Sequence, residues 1–189
     1  MPPNAEGPFA YSSPAVRMAD GTYIMESRKI ADALEKLQPE PSFHLNDSPV
    51  DRTQGAVMAT LPALAPIMMP RVPEMLLNPP SAEYFHRTRA ERFGMPLPEL
   101  AKSDKAGETA WKNAEPGIKE LSAVLSEHSD GPLVMGKTAS YPDLILAGFW
   151  RFVELLDKNG DLFPRLMKAD PAFEKHYQAS KKWLQRDDH

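Results

Sequence analysis

The chain contains no cysteine. That excludes a disulfide scaffold, a thiol nucleophile and thiolate metal sites within these 189 residues. No apolar run approaches the roughly 20 residues of a membrane helix. The opening MPPNAEGPFAYSSP is neither basic nor followed by an apolar segment, so no signal peptide is read there. Positive charge is not in excess: 22 Lys and Arg against 26 Asp and Glu give a net charge of −4, with no basic footprint for nucleic acid. G-x-S-x-G, P-loop and G-x-G-x-x-G motifs are absent. No pair among His44, His86, His128, His176 and His189 has the i, i+4 spacing of a metal site, so surface or boundary histidines and no metal are expected. Proline is the excess: 20 residues, about 11% and roughly twice the usual share. The 42% of apolar and 25% of charged residues are those of a globular protein able to bury a core.

Two short β-type runs, Pro14 to Met18 and Thr22 to Met25, flank Asp20-Gly21, a hairpin signal. Ser27 opens a helical pattern with Ile30, Ala33, Leu34 and Leu37 on one face. The following stretch, residues 39–49, is rich in proline, lacks periodicity and reads as a linker. Everything after it reads as helical. Ser81 to Phe93 is an amphipathic helix closed by Gly94. Trp111, Ala114, Ile118, Leu121 and Leu125 share one helix face, which Pro116 is expected to kink or divide. Leu144 to Leu156 is apolar almost all round, as in the central helix of a bundle. Phe173, Tyr177, Ser180 and Leu184 line a last helix.

Three local signals carry chemistry or its plain alternative. In Thr138–Asp143, TASYPD, Ser140 and Asp143 form a capping box with Asp in place of Glu, a structural device. Around Ser12, Ser13, Pro14, Glu26 and Ser27 the plain reading is a strand and a helix start. The other reading is a ligand site, with helix amides for a carboxylate and Glu26 for an ammonium, as a zwitterionic α-amino acid group would need. Pro62, Pro66, Pro70 and Pro73, spaced four, four and three apart, require a bent or broken helix. Met68, Met69, Arg71, Val72 and Met75 then form either a kinked core or a deformable apolar pocket wall.

The order of these signals resembles the cytosolic glutathione S-transferases, and DGTYIMESRKIADALEKLQPEPS and IMMPRVPEMLLNPPSAEYFHRTRAERFG look like a fungal, etherase-like branch. The resemblance covers the chain from Tyr11 onward. It implies a mainly α protein: a partial thioredoxin-like α/β element over 1–38, a linker over 39–49 and an all-helical C-terminal domain over 50–189. It further implies that Pro14 is a cis-proline, that the backbone of Ser13 meets the cysteinyl part of glutathione, and that Glu26 and Ser27 hold its γ-glutamyl group. Met68, Met69, Arg71 and Val72 would line the co-substrate pocket, with Tyr84, Phe85 and Trp150 at its rim or floor. Members of that family begin with a strand, a helix and a second strand before the segment matching Pro14. Here thirteen residues precede it, so the sequence resembles the family with the first half of that domain absent, and the catalytic Tyr, Ser or Cys is unassigned. The exposed edge bearing Ala15 and Val16 then invites strand addition.

The implied function is a cytoplasmic transferase that uses glutathione, without metal, on a small apolar electrophile. A homodimer or a strand-pairing partner is expected; nucleic acid and membrane are not. The alternatives are a non-catalytic transferase-like binding scaffold and a glutathione-independent enzyme of fungal secondary metabolism.

Overall fold

The structure, a computed structural model, describes residues 2–4 and 10–185. It divides after Asp47 into two units. His189 lies outside the described residues.

In the first unit, strands β1 (Ala15–Arg17) and β2 (Tyr23–Met25) pair antiparallel, with Ala15 opposite Met25 and Arg17 opposite Tyr23. The turn is set by Asp20, whose Oδ1 accepts from the Thr22 amide at 2.9 Å and the Thr22 hydroxyl at 2.6 Å. Gly21 sits at φ +89°, a conformation glycine adopts without steric cost. Helix α1 spans Ser27–Leu37; Ile30 and Ala31 are buried, while Leu34 and Leu37 of the expected apolar face stay exposed. The segment read as a linker is tied back to this helix. The Glu35 carboxylate accepts from the Ser42 hydroxyl at 2.6 Å and the Phe43 amide at 2.9 Å, and Arg28 donates to Asn46 at 2.8 Å. The second unit starts at Ser48, within the segment expected to be a linker.

That unit is all helical: α2 (Ser48–Met68), α3 (Val72–Leu76), α4 (Pro79–Phe93), α5 (Leu97–Leu100), α6 (Gly107–Ser126), α7 (Tyr141–Leu155), α8 (Phe163–Met167) and α9 (Pro171–Ser180). Its core lies between α2, α6 and α7, closed by α8 and α9, with Leu64, Met68, Leu121, Leu146, Trp150 and Phe173 fully buried. Ser48–Leu76 is long and apolar enough to cross a membrane, against the reading that no run approaches that length. Nearly half of its most apolar stretch is buried inside the protein, as in a core helix.

Of the four prolines expected to bend or break the helix, Pro70 sits at the break. Pro62 and Pro66 lie within α2 without ending it, and the α-helical pattern gives way only at a 3-10 turn, Met69–Arg71, around Pro70. Pro116 leaves α6 undivided: it and Lys112, whose carbonyl its missing amide would have served, are both exposed residues, so the lost bond falls on the solvent side of the helix. Helix α4 begins two residues earlier than its periodicity suggests. The Asn78 side chain caps it by accepting from the Ser81 amide at 3.0 Å, Pro79 and Pro80 fill the first turn, and Gly94 ends it at φ +70°. It is not the amphipathic helix expected, for none of its residues is buried. The short helices α5 and α8 were not legible at all.

The capping box forms at the start of α7, and it belongs to a larger buried network. Asp143 Oδ2 accepts from the Ser140 amide at 2.8 Å and its hydroxyl at 2.7 Å. Oδ1 accepts from the Val134 amide at 2.8 Å and from His176 Nε2 at 3.1 Å. His176 Nδ1 in turn accepts from Trp150 Nε1 at 3.0 Å. An indole nitrogen only donates, so Nδ1 carries the lone pair and the imidazole hydrogen sits on Nε2. Asp143, Trp150 and His176 are completely buried, which corrects the expectation of a surface histidine. Burial pushes the Asp143 carboxyl upward in pKa, but the bonds from His176, Val134 and Ser140 together outweigh it and hold it below its ordinary value. Ser140→Ala removes the hydroxyl but leaves the amide bond, and is expected to cost about 0.5–2 kcal/mol. An unchanged thermal midpoint would reject the cap's role.

Candidate functional site

The hairpin pairing ends at Ala15 opposite Met25, so Pro14 and Glu26 each adjoin that last pair. The Ser13–Pro14 bond is cis, as the resemblance implies. Glu26 is the N-cap of α1 and adopts φ 73°, ψ 118°, while its side chain makes no capping bond. Ser27 is therefore the first helical residue rather than the cap. Ser13, Pro14, Glu26 and Ser27 are all exposed. A non-glycine residue at positive φ costs of order 1–3 kcal/mol and is retained where the surroundings enforce it, often at ligand clamps. The geometry thus offers helix-start amides and the Ser27 hydroxyl to a carboxylate, with the Glu26 carboxylate beside them for an ammonium. Ser12, part of the same sequence signal but without an assigned role, adds a buried hydroxyl with no hydrogen-bond partner among the described residues, while its amide donates to Met25 Sδ at 3.4 Å.

The predicted co-substrate pocket is not assembled as expected. Met68, Val72 and Trp150 are core residues with essentially no exposed surface, because α2, α3 and α7 turn them toward one another. Met69 packs half-buried against that core. Tyr84 is 60% exposed on α4, with the Arg87 guanidinium 5.5 Å from its ring centroid. Phe85 is half-buried under Arg89, 4.5 Å from its ring. Arg71 does border a cavity of about 640 Å³, lined by apolar Pro66, Ile67, Met75 and Trp111 and by charged residues from α3, α6 and α8 and the segment before α8. Its guanidinium donates to Asp161 at 2.9 and 2.5 Å and to the Leu156 carbonyl at 3.2 Å, and this pairing, ahead of the opposing effect of burial, lowers the Asp161 pKa.

Sequence reasoning missed His176 and the charged rim of this cavity. His176 was legible in part: it lies three residues after Phe173 and four before Ser180, on the buried stripe of α9. The rim pairs residues up to 90 apart and left no local signal. Among the described residues no group of three His, Cys, Asp or Glu side chains is arranged to hold a metal ion.

Comparison with known proteins gives a consistent pattern. The family described as "Glutathione S-transferase, C-terminal domain" matches residues 53–183. The glutathione S-transferase-like protein ustS of Aspergillus flavus is 28% identical over 207 residues, covering 98% of this chain and 72% of that protein. The glutathione S-transferase CsGST63524 of Ceriporiopsis subvermispora, crystallised in complex with glutathione, superposes with a TM-score of 0.79 at 27% identity, over 98% of this chain and 76% of that one. Glutathione transferase GSTFuA3 of Phanerochaete chrysosporium shares the fold at a TM-score of 0.76 and 21% identity, over 99% of this chain and 76% of its own.

Proposed function

The chain belongs to the glutathione S-transferase family through its C-terminal domain, and on that premise we propose that it binds glutathione at Glu26, Ser27 and the backbone of Ser13 and uses it on an apolar electrophile. The observation that carries this reading is Glu26 at positive φ beside Ser27 at the start of α1, next to the last hairpin pair, Ala15 with Met25, which Pro14 also adjoins. A γ-glutamyl group presents one carboxylate and one ammonium. The start of α1 with the Ser27 hydroxyl suits the first, and the Glu26 carboxylate suits the second. The relative crystallised with glutathione supports the same ligand.

The chemistry is activation of a thiol. Free thiols have a pKa near 8.5, so only a small fraction is thiolate at neutral pH. Hydrogen-bond donors aimed at the sulfur raise that fraction, and the thiolate forms a carbon–sulfur bond at the electrophile as the leaving group, the halide of an aryl halide, departs with the bonding pair. The reading carries with it a cytoplasmic protein, working as a homodimer or with a strand paired along the outer edge of β1.

Calorimetric titration with glutathione, beside turnover of an activated aryl halide, tests this. The parent chain is expected to bind. Ser27→Ala is expected to weaken binding at least tenfold, with stability changed by less than about 0.5 kcal/mol because the side chain is exposed. No binding by the folded parent would reject the reading and favour the scaffold alternative. Turnover without glutathione would favour the glutathione-independent enzyme.

A further inference from the structure

The chain has five asparagines, and one of them, Asn159, precedes a glycine. Asn159 and Gly160 form an exposed tip in the segment between α7 and α8, where Gly160 sits at φ +69°. The Asn159 side chain has no hydrogen-bond partner among the described residues. Three other asparagines are set differently. Asn46 accepts from Arg28, Asn78 caps α4 ahead of a proline that has no amide hydrogen, and Asn113 is held within α6.

The segment is clasped on both sides of this tip. The Arg71 guanidinium donates to the Leu156 carbonyl at 3.2 Å and to the Asp161 carboxylate at 2.9 and 2.5 Å. Lys158 pairs with Glu74 of α3. Asp157 Oδ1 accepts from the amides of Asp161 and Leu162, both at 2.9 Å. Asn159 lies between these anchors. A glycine has no Cβ to shield its amide nitrogen, and a side-chain amide without a partner at an exposed loop tip is free to turn toward it.

We propose that Asn159 is a site of spontaneous deamidation and that its isoaspartyl product releases the α7–α8 segment from Arg71. The Gly160 amide nitrogen attacks Asn159 Cγ. The new N–C bond closes a five-membered imide as the Cγ–Nδ2 bond breaks, and Nδ2 leaves as ammonia with the proton given up by the Gly160 amide. Water then opens the ring. Opening at the backbone carbonyl gives isoaspartate, and opening at Cγ gives aspartate. Isoaspartate carries the main chain through its own side chain, one carbon longer, between the Lys158 and Asp161 anchors. The lengthened loop cannot keep Asp157 on its two amides and Asp161 on Arg71 together. The change is one-way in water and needs no glutathione, so it stands apart from the transferase reading.

The test is to age the full chain at neutral pH for days and then cleave it after Glu154 and Glu174. The peptide 155–174 is expected to gain one dalton, chiefly as isoaspartate by electron-transfer fragmentation, while the peptides holding Asn46, Asn78 and Asn113 stay unchanged. Asn159→Gln, whose ring would be one carbon larger, is expected to stay unmodified. Hydrogen exchange over 156–162 is expected to run at least fivefold faster in the aged chain and to be matched by unaged Arg71→Gln. Unaged Asn159→Asp adds the charge without the extra carbon and is expected to stay within twofold of the parent. Exchange in the middle of α6 and α7 is expected not to move, which separates loss of the clasp from loss of the fold. No mass gain at Asn159, a gain no faster than at Asn46 or Asn113, or an isoaspartyl chain whose 156–162 segment exchanges like the parent would overturn the proposal.

Discussion

Asp143→Ala is expected to destabilise the protein by about 3–5 kcal/mol and to lower its thermal midpoint by on the order of 10 °C. The substitution removes one carboxylate and orphans four donors: the amides of Val134 and Ser140, the Ser140 hydroxyl and His176 Nε2–H. All lie where no water reaches, so each loses its partner without replacement. His176 cannot adapt by moving its hydrogen, because Trp150 Nε1–H already occupies Nδ1. Asp143→Asn keeps the shape but fares little better. Whichever way the amide turns, its NH2 group confronts a fixed N–H donor, that of Ser140 on one side or those of Val134 and His176 on the other. The carboxyl is held below its ordinary value of 3.8. A lowered folded pKa gives stability that is complete above the unfolded value and is lost as pH falls through the folded one. The midpoint gap between parent and Asp143→Asn should therefore hold from pH 8 to about pH 5 and shrink only on further acidification. A gap unchanged at pH 3, or an Ala variant within 2 °C of the parent on a scale of roughly 2–4 °C per kcal/mol, would contradict the network.

The capping box, the hairpin turn and the central helix were legible because each is a local rule written in adjacent residues. Ser140 and Asp143 are one helical turn apart, and Asp20-Gly21 needs only its neighbours. What Asp143 does beyond the cap depends on His176, 33 positions away, and no local rule joins them. The half-site is intermediate. Its residue types and order were readable, but the left-handed backbone of Glu26 is a property of the fold. The pocket prediction went astray for a definite reason. The prolines left two readings open for Met68 and Val72, kinked core or pocket wall, and the resemblance put Trp150 at the rim or floor; the helix continues to Met68 and all three are core. Of that set Arg71 borders the cavity, since it is charged and the 3-10 turn carries it past the end of α2.

Glycine substitutions in the three long helices of the second unit are expected to differ in sign. Gly55 in α2 and Gly148 in α7 are exposed, and a Cβ added at either would meet nothing within 4 Å. Alanine there restricts the unfolded chain and strains nothing, so Gly55→Ala and Gly148→Ala should each stabilise by up to about 1 kcal/mol. Gly117 in α6 is the opposite case. It is buried where α6 crosses α2, and a Cβ there would lie 2.9 Å from the Ala56 carbonyl oxygen and 3.0 Å from the Thr60 amide nitrogen, closer still to the Thr60 hydroxyl. That hydroxyl donates to the Ala56 carbonyl at 2.8 Å, so it and the backbone behind it form one rigid surface. The two helices would have to separate, although they share the packed core of Leu64 and Leu121. Overpacking of this kind costs roughly 1–3 kcal/mol, enough to cancel the helix-propensity gain and reverse the sign. Thr60→Ala in the Gly117→Ala background removes the nearest clash but not the backbone, and should recover only part of the loss. Denaturant midpoints of the three alanine variants decide the matter. Gly117→Ala as stable as the parent would mean that α2 and α6 do not approach so closely, and loss at Gly148 would mean that the solvent face of α7 is covered.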